Sequence, residues 1–129
     1  MANILIVDDD LGILRVFGLI IEQEEHTAFK AAGGVKALEV LKANHIDLAF
    51  IDLVMPEMDG IELMKRVREL HPNVKLAPMS AFADLQGVSS ECAAVASLEK
   101  PFAVEDVQAV LAQAFEQSQT GETASTFCD

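Results

Sequence analysis

Three short apolar runs that each stop on a carboxylate or a hydroxyl constrain this chain more than any other feature. Asn3-Ile4-Leu5-Ile6-Val7 stops at Asp8-Asp9-Asp10, Asp47-Leu48-Ala49-Phe50-Ile51 stops at Asp52, and Val74-Lys75-Leu76-Ala77-Pro78-Met79 stops at Ser80. Short runs rich in apolar and β-branched residues, without alternation between apolar and polar, are the pattern of strands covered on both faces, and so of a parallel sheet. Two weaker candidates, His26-Thr27-Ala28-Phe29-Lys30 and Ser97-Leu98-Glu99, bring the expected strands to five.

Between these runs the apolar period lengthens from two to 3.6 residues, the mark of a helix with one buried stripe. The stripes are Ile13/Phe17/Ile20, Leu38/Leu41, Ile61/Met64/Val67 and Val104/Val107/Leu111/Ala114. A fifth helix is expected over Asp84 to Ala96. Gly87, Ser89 and Ser90 lower its propensity, but its place between two strands calls for a crossover helix. Strict β-α alternation gives a doubly wound α/β sandwich. Function in such sheets gathers outside the carboxyl ends of the strands, where Asp8, Asp9, Asp52 and Ser80 all fall.

The chain has 129 residues and 13.9 kDa, room for one domain, which at this size buries roughly two-thirds of its unfolded surface. No apolar run approaches the roughly 20 residues of a membrane span, and Met1-Ala2-Asn3 lacks the basic start of a secretory signal. A soluble, cytoplasmic protein is the expectation. Nine Lys+Arg against 21 Asp+Glu leave a formal charge of −12, which repels nucleic acid and favours cations and basic partner surfaces. Cys92 and Cys128 have neither zinc-site spacing nor disulfide density and read as free thiols. Residues 118–129 are polar and aperiodic, and are expected to form a disordered tail after a domain over 1–117.

Carboxylates gathered at neighbouring strand ends repel one another, and burial drives protons onto them unless a cation lies between. Oxygen ligands with no neighbouring His or Cys point to Mg²⁺ or Mn²⁺ rather than zinc. Such an ion can bridge phosphoryl oxygens and offset charge as a carboxylate attacks phosphorus, and Lys100 is available to complete the clamp. Plainer readings exist for each residue alone. Asp10 suits a helix N-cap, Asp59-Gly60 a turn that uses glycine's backbone freedom, Ser80 a strand-end hydroxyl, and Lys100-Pro101 a surface loop. His26, His45 and His71 each follow an expected helix, where an imidazole favours the C-terminal dipole.

Taken together, Ile4-Leu5-Ile6-Val7-Asp8-Asp9-Asp10, Ile51-Asp52-Leu53-Val54-Met55-Pro56-Glu57-Met58-Asp59-Gly60, Ser80-Ala81 and Lys100-Pro101-Phe102 resemble the response-regulator receiver (CheY-like) family in order and spacing, over about residues 2–117. The resemblance implies a flavodoxin-like sheet of strand order 2-1-3-4-5 with five helices. It implies Asp52 as phosphoacceptor, Asp8 and Asp9 as the metal-binding acidic pair, and the Val54 carbonyl as a further ligand. Lys100 would contact the phosphoryl group, Ser80 would be the hydroxyl that swings toward it, and Lys100-Pro101 would be cis. The implied partners are a sensor histidine kinase or phosphotransfer protein and a downstream protein target, with no direct nucleic acid, no membrane and no output domain beyond the tail.

Departures from the family pattern shape further expectations. Ser97 stands where the family usually carries Tyr or Phe, which removes aromatic switching. Pro78 lacks a ladder donor, so its strand should end early or distort. Ala93-Ala94-Val95-Ala96-Ser97 offers a partner few anchors. By resemblance, Val54 and Phe82 flank the water that removes the phosphoryl group. Neither can orient water, so decay should be slow and should quicken in Val54→Asn and Phe82→Glu. Two other readings compete: a phosphorylation-independent pseudo-receiver serving as an interaction module, and a flavodoxin-like electron carrier. The latter lacks a hydroxyl-rich first loop, which here is Asp8-Asp9-Asp10.

Overall fold

The computed structural model describes residues 2–55, 58–80 and 94–116. The expected helix over 84–96 lies, apart from its last three residues, outside the described residues, as do the 118–129 tail, Phe82, Cys92 and Cys128. Five strands, β1 (Asn3–Val7), β2 (Thr27–Ala31), β3 (Leu48–Asp52), β4 (Lys75–Ser80) and β5 (Leu98–Glu99), form one sheet in the order β2-β1-β3-β4-β5, with every pair parallel. The described helices are α1 (Leu11–Gln23), α2 (Gly34–Ala43), α3 (Gly60–Leu70) and α4 (Val104–Leu111), the last running on into a π-helical turn at Ala112–Glu116. The five expected strands are present within one or two residues of their expected bounds.

Side chains of alternate parity serve the two faces of the sheet. Leu5, Val7, Ala49, Ile51 and Leu76 pack against Ala37 and Leu41 of α2 and Leu63, Met64 and Val67 of α3. Ile4, Ile6, Leu48, Phe50, Ala77 and Met79 meet Leu14, Phe17, Ile20 and Ile21 of α1 and Val107, Val110 and Leu111 of α4. Both faces are apolar because both are covered, which is why the strand sequences do not alternate. Phe17 is buried between Phe50 and Phe102, with ring centroids 4.7 and 5.0 Å away. Truncating such a ring to Ala costs about 3–5 kcal/mol.

Several local expectations change. Val104, placed on the buried stripe, is 44% exposed. It is the first residue of its helix after the Ala103 cap, so the stripe begins one turn later, at Val107. β4 neither ends early nor distorts at Pro78, which pairs with Ile51 in unbroken register. Hydrogen-bond direction explains this. Lys75 and Met79 bond toward β3, through Lys75 N–H to Asp47 O and Leu53 N–H to Met79 O. Leu76 and Ser80 bond toward the other side, accepting from Val95 and Lys100. Pro78 shares their parity, so its missing N–H faces the β5 side, where the two-residue β5 pairs only with Met79 and Ser80. The long β3–β4 ladder loses nothing.

All three histidines follow a helix, as expected: His71 N–H caps α3 at Val67 O, His26 N–H closes the end of α1 at Ile21 O, and His45 stands just after the Asn44 cap of α2. His45 Nε2 lies 3.0 Å from Asp47 Oδ1. His26 Nδ1 accepts the Ala2 N–H at 2.9 Å, with its ring facing Phe115. α1 ends in a Schellman pattern. Glu25 N–H reaches Glu22 O, His26 N–H reaches Ile21 O, and Glu25 takes the left-handed φ of 69° usually left to glycine.

Candidate functional site at the carboxyl edge of the sheet

Asp8 follows the last residue of β1, and its N–H is held by Ala31 O of β2 at 3.1 Å. Its carboxylate is 1% exposed and fully engaged: Oδ1 accepts the Asp10 N–H at 2.9 Å and Oδ2 accepts Lys100 Nζ at 2.7 Å. Asp10 turns outward and caps α1, its Oδ1 accepting from Gly12 and Ile13, as its plain reading holds. Asp9 between them is exposed. Asp52 ends β3, is 5% exposed, and accepts the Val54 N–H on Oδ1 at 3.3 Å. Lys100 Nζ lies 3.5 Å from Asp52 Oδ2.

Two further links place Lys100. Its N–H donates to Ser80 O at 3.1 Å, and the Lys100-Pro101 peptide is cis. Ser80 itself is buried at the end of β4. One carboxyl oxygen from each of Asp8, Asp9 and Asp52 falls within 4.8 Å of the others. Residues from β1, β3, β4 and the segment after β5 thus converge at one edge of the sheet.

Their charges are in conflict. Burial pushes the Asp52 carboxyl above its ordinary range and the Asp8 charge pushes it further, while the Val54 N–H and Lys100 pull it back. Burial acts to lower Lys100, but its hydrogen bond and ion pair with Asp8, and then Asp52, outweigh this and raise it. Lys100 therefore stays an ammonium. Three carboxylates and one ammonium leave a local charge of −2. A divalent cation with hard oxygen preference fits that set, which contains neither imidazole nor thiolate.

A contributor that sequence reading assigned to a different cause is Gly60. It begins α3 after the Asp59 cap, whose carboxylate accepts the Glu62 N–H at 2.8 Å. No described glycine has positive φ, so turn freedom is not what Gly60 supplies. A Cβ there would lie 2.3 Å from Asp52 O and 2.6 Å from Leu53 Cα. The helix start rests directly on the backbone of Asp52, and only glycine permits it. The Asp-Gly pair was visible in the sequence, but not what it would touch. Val54 sits in the loop after β3 with its side chain 61% exposed, and Ser97 is half-buried.

The chain matches the family described as "Response regulator receiver domain" over residues 4–112. Sporulation initiation phosphotransferase F of Bacillus subtilis is 34% identical over 108 residues, covering 82% of this chain and 87% of that protein. Response regulator receiver protein CpdR of Brucella abortus is 33% identical over 109 residues, covering 83% and 91%. By contrast, the chain spans 27% of the transcriptional regulatory protein GlrR of Escherichia coli, with 29% identity over 119 residues and 91% of this chain covered. Among solved structures, a CheY-like receiver domain protein from Methanospirillum hungatei superimposes with a TM-score of 0.83 at 30% identity, covering 94% of this chain and 99% of that one.

Proposed function

Because the chain belongs to the response-regulator receiver family, we propose that it is a two-component signalling switch in which Asp52 accepts a phosphoryl group from the phosphohistidine of a histidine kinase or phosphotransfer protein. One observation carries this reading. Lys100 Nζ stands 2.7 Å from Asp8 Oδ2 and 3.5 Å from Asp52 Oδ2, inside a group of carboxylates that has room for a cation. A carboxylate oxygen of Asp52 attacks phosphorus, the phosphorus–nitrogen bond breaks, and the imidazole leaves.

Asp8, Asp9 and Asp52, with the Val54 carbonyl, would hold Mg²⁺ or Mn²⁺. The ion, when bound, offsets negative charge on the phosphoryl oxygens during transfer. Lys100 holds a fixed positive charge beside the acceptor, tied down by Asp8 and by its own N–H to Ser80 O. It therefore meets the incoming group without first ordering a side chain. Ser80, buried at the end of β4, would turn its hydroxyl toward the phosphorylated Asp52. The exposed Val54 side chain cannot orient water, which supports slow loss of the phosphoryl group. The match to two relatives over 87% and 91% of their lengths supports a receiver that acts by contact with another protein.

Incubation with a small-molecule phosphodonor and Mg²⁺, read by intact mass, tests this. The expected result is one added phosphoryl group, absent in Asp52→Asn and without metal. An unmodified wild-type protein would leave the alternative, a pseudo-receiver that binds its partners without phosphate, which the small Ser97 favours.

A further inference from the structure

Gly34 opens α2, between β2 and β3, and contributes nothing to the acidic group. It is buried, and its φ is not in the left-handed region, so backbone freedom does not explain it. Space does. A Cβ at Gly34 would lie 2.7 Å from Met58 Sδ, 3.0 Å from Met58 Cβ and 3.2 Å from Met58 Cγ. The length of the Met58 side chain lies across the bare Cα.

We propose that Gly34 is a positioning residue for the phosphoacceptor: its missing side chain forms the seat for Met58, and the seated Met58 sets the 58–60 turn that bears on the backbone of Asp52. The inference rests on the receiver reading given above. Each link is a packing contact, a hydrogen bond or a chain neighbour. Met58 packs on the same core as α2 and α3. Asp59 follows it and caps α3. Gly60 comes next, donating its N–H to Leu53 O at 3.1 Å and lying against Asp52 O without room for one added carbon.

Displacement at one end of this series reaches the other because Met58, packed against the core, cannot relieve all three contacts by rotating its flexible side chain. The contact at Cβ, 3.0 Å, moves only with the backbone. α2 is anchored by Ala37 and Leu41 in the core, 0% and 4% exposed, so an added methyl moves Met58 rather than the helix. At the far end the sensitive distances are already long. Val54 N–H to Asp52 Oδ1 is 3.3 Å and Lys100 to Asp52 is 3.5 Å, where a few tenths of an ångström decide whether the contact persists.

The test is a cycle of Gly34→Ala, Met58→Ala and the double variant, assayed for phosphorylation rate at saturating donor and Mg²⁺, at a temperature where thermal unfolding shows each to be folded. Gly34→Ala is expected to slow phosphorylation roughly three- to tenfold, below the ~10²-fold cost of a full 1 Å misplacement. In the Met58→Ala background the same change is expected to cost less than about twofold, because the Sδ and Cγ it strikes are gone and only the 3.0 Å approach to Cβ remains. Equal slowing in both backgrounds overturns the proposal, and so does an unaltered rate with only a lower melting temperature. Should Gly34→Ala not fold, Met58→Leu, which keeps the glycine and reshapes the seated side chain, must slow the reaction, and an unchanged rate overturns the idea. A wild type that takes no phosphoryl group refutes the receiver reading. A wild type that does, with variants that match it, refutes only this one.

Discussion

The two edges of the sheet carry similar numbers of polar side chains and treat them in opposite ways. At the amino edge, Asp47 Oδ2 accepts the Asn3 N–H at 2.8 Å and Oδ1 meets His45 Nε2 at 3.0 Å. Asn3 Nδ2 donates to His45 O at 2.6 Å, and His26 accepts from Ala2. Lys75 Nζ donates to Ala114 O at 2.7 Å and sits 5.0 Å from the centre of the Phe115 ring. Each of these groups meets a partner that suits it. At the carboxyl edge, two nearly fully buried carboxylates share one ammonium, with a third carboxylate close by. Satisfied polar groups hold strand ends together, whereas buried like charges carry a cost that a bound cation would offset, and that contrast separates the structural edge from the one proposed for chemistry.

The sharpest way to break the comparison is Asp52→Asn. It is expected to abolish phosphoryl acceptance, seen by intact mass, and to raise the melting temperature at pH 7. The sign follows from Asp52's raised pKa: its ionised form is disfavoured in the folded state, so removing the charge relieves a cost that in wild type is relieved only as pH falls. Next comes a matched pair of lysines. Lys100→Met leaves Asp8 buried without its cation and should cost about 1.5–3 kcal/mol in denaturant unfolding as well as slowing phosphorylation. Lys75→Met at the other edge loses a hydrogen bond to a neutral carbonyl and should cost about 0.5–1.5 kcal/mol, with phosphorylation unchanged.

Metal should act at one edge alone. Mg²⁺ at ten times its Kd is expected to add about 1.4 kcal/mol of stability in a thermal shift, and Asp9→Asn, which removes an exposed carboxylate, should diminish that gain. The smallest effect belongs to His26. Burial lowers its pKa from 6.5, with the amino terminus acting the same way and Glu24, Asp47 and Glu25 opposing. Its neutral form, the one that can accept the Ala2 N–H, is favoured by folding. The stabilisation is therefore full above pH 6.5 and declines as pH drops from 6.5 toward the lowered folded value. Melting temperatures over that window should fall in wild type relative to His26→Gln, and parallel curves would remove the amino edge's sensitivity to acid.

Much of this was legible along the chain. The three apolar runs located β1, β3 and β4 because parallel strands covered on both faces have no reason to alternate, and their terminal Asp8, Asp52 and Ser80 lie where strand ends must lie. Asp10 as a cap followed from its place before an apolar helical stripe. Periodicity, however, assigns a residue to a face and not to a neighbour. It therefore put Val104 on the buried stripe, just as proline's missing donor suggested a disrupted β4 without showing which side of the strand Pro78 would face.

What the amino-acid order determined by itself was the alternation of strands and helices and the set of carboxylates and lysine delivered to one edge, because side-chain period and strand length are local properties. Tertiary structure alone decided that Pro78 faces the short β5, that Gly60 rests on Asp52, and that Gly34 receives Met58. Each is a contact between segments distant in sequence or bent back on one another, and its sign depends on distances of a few ångströms that no local pattern encodes.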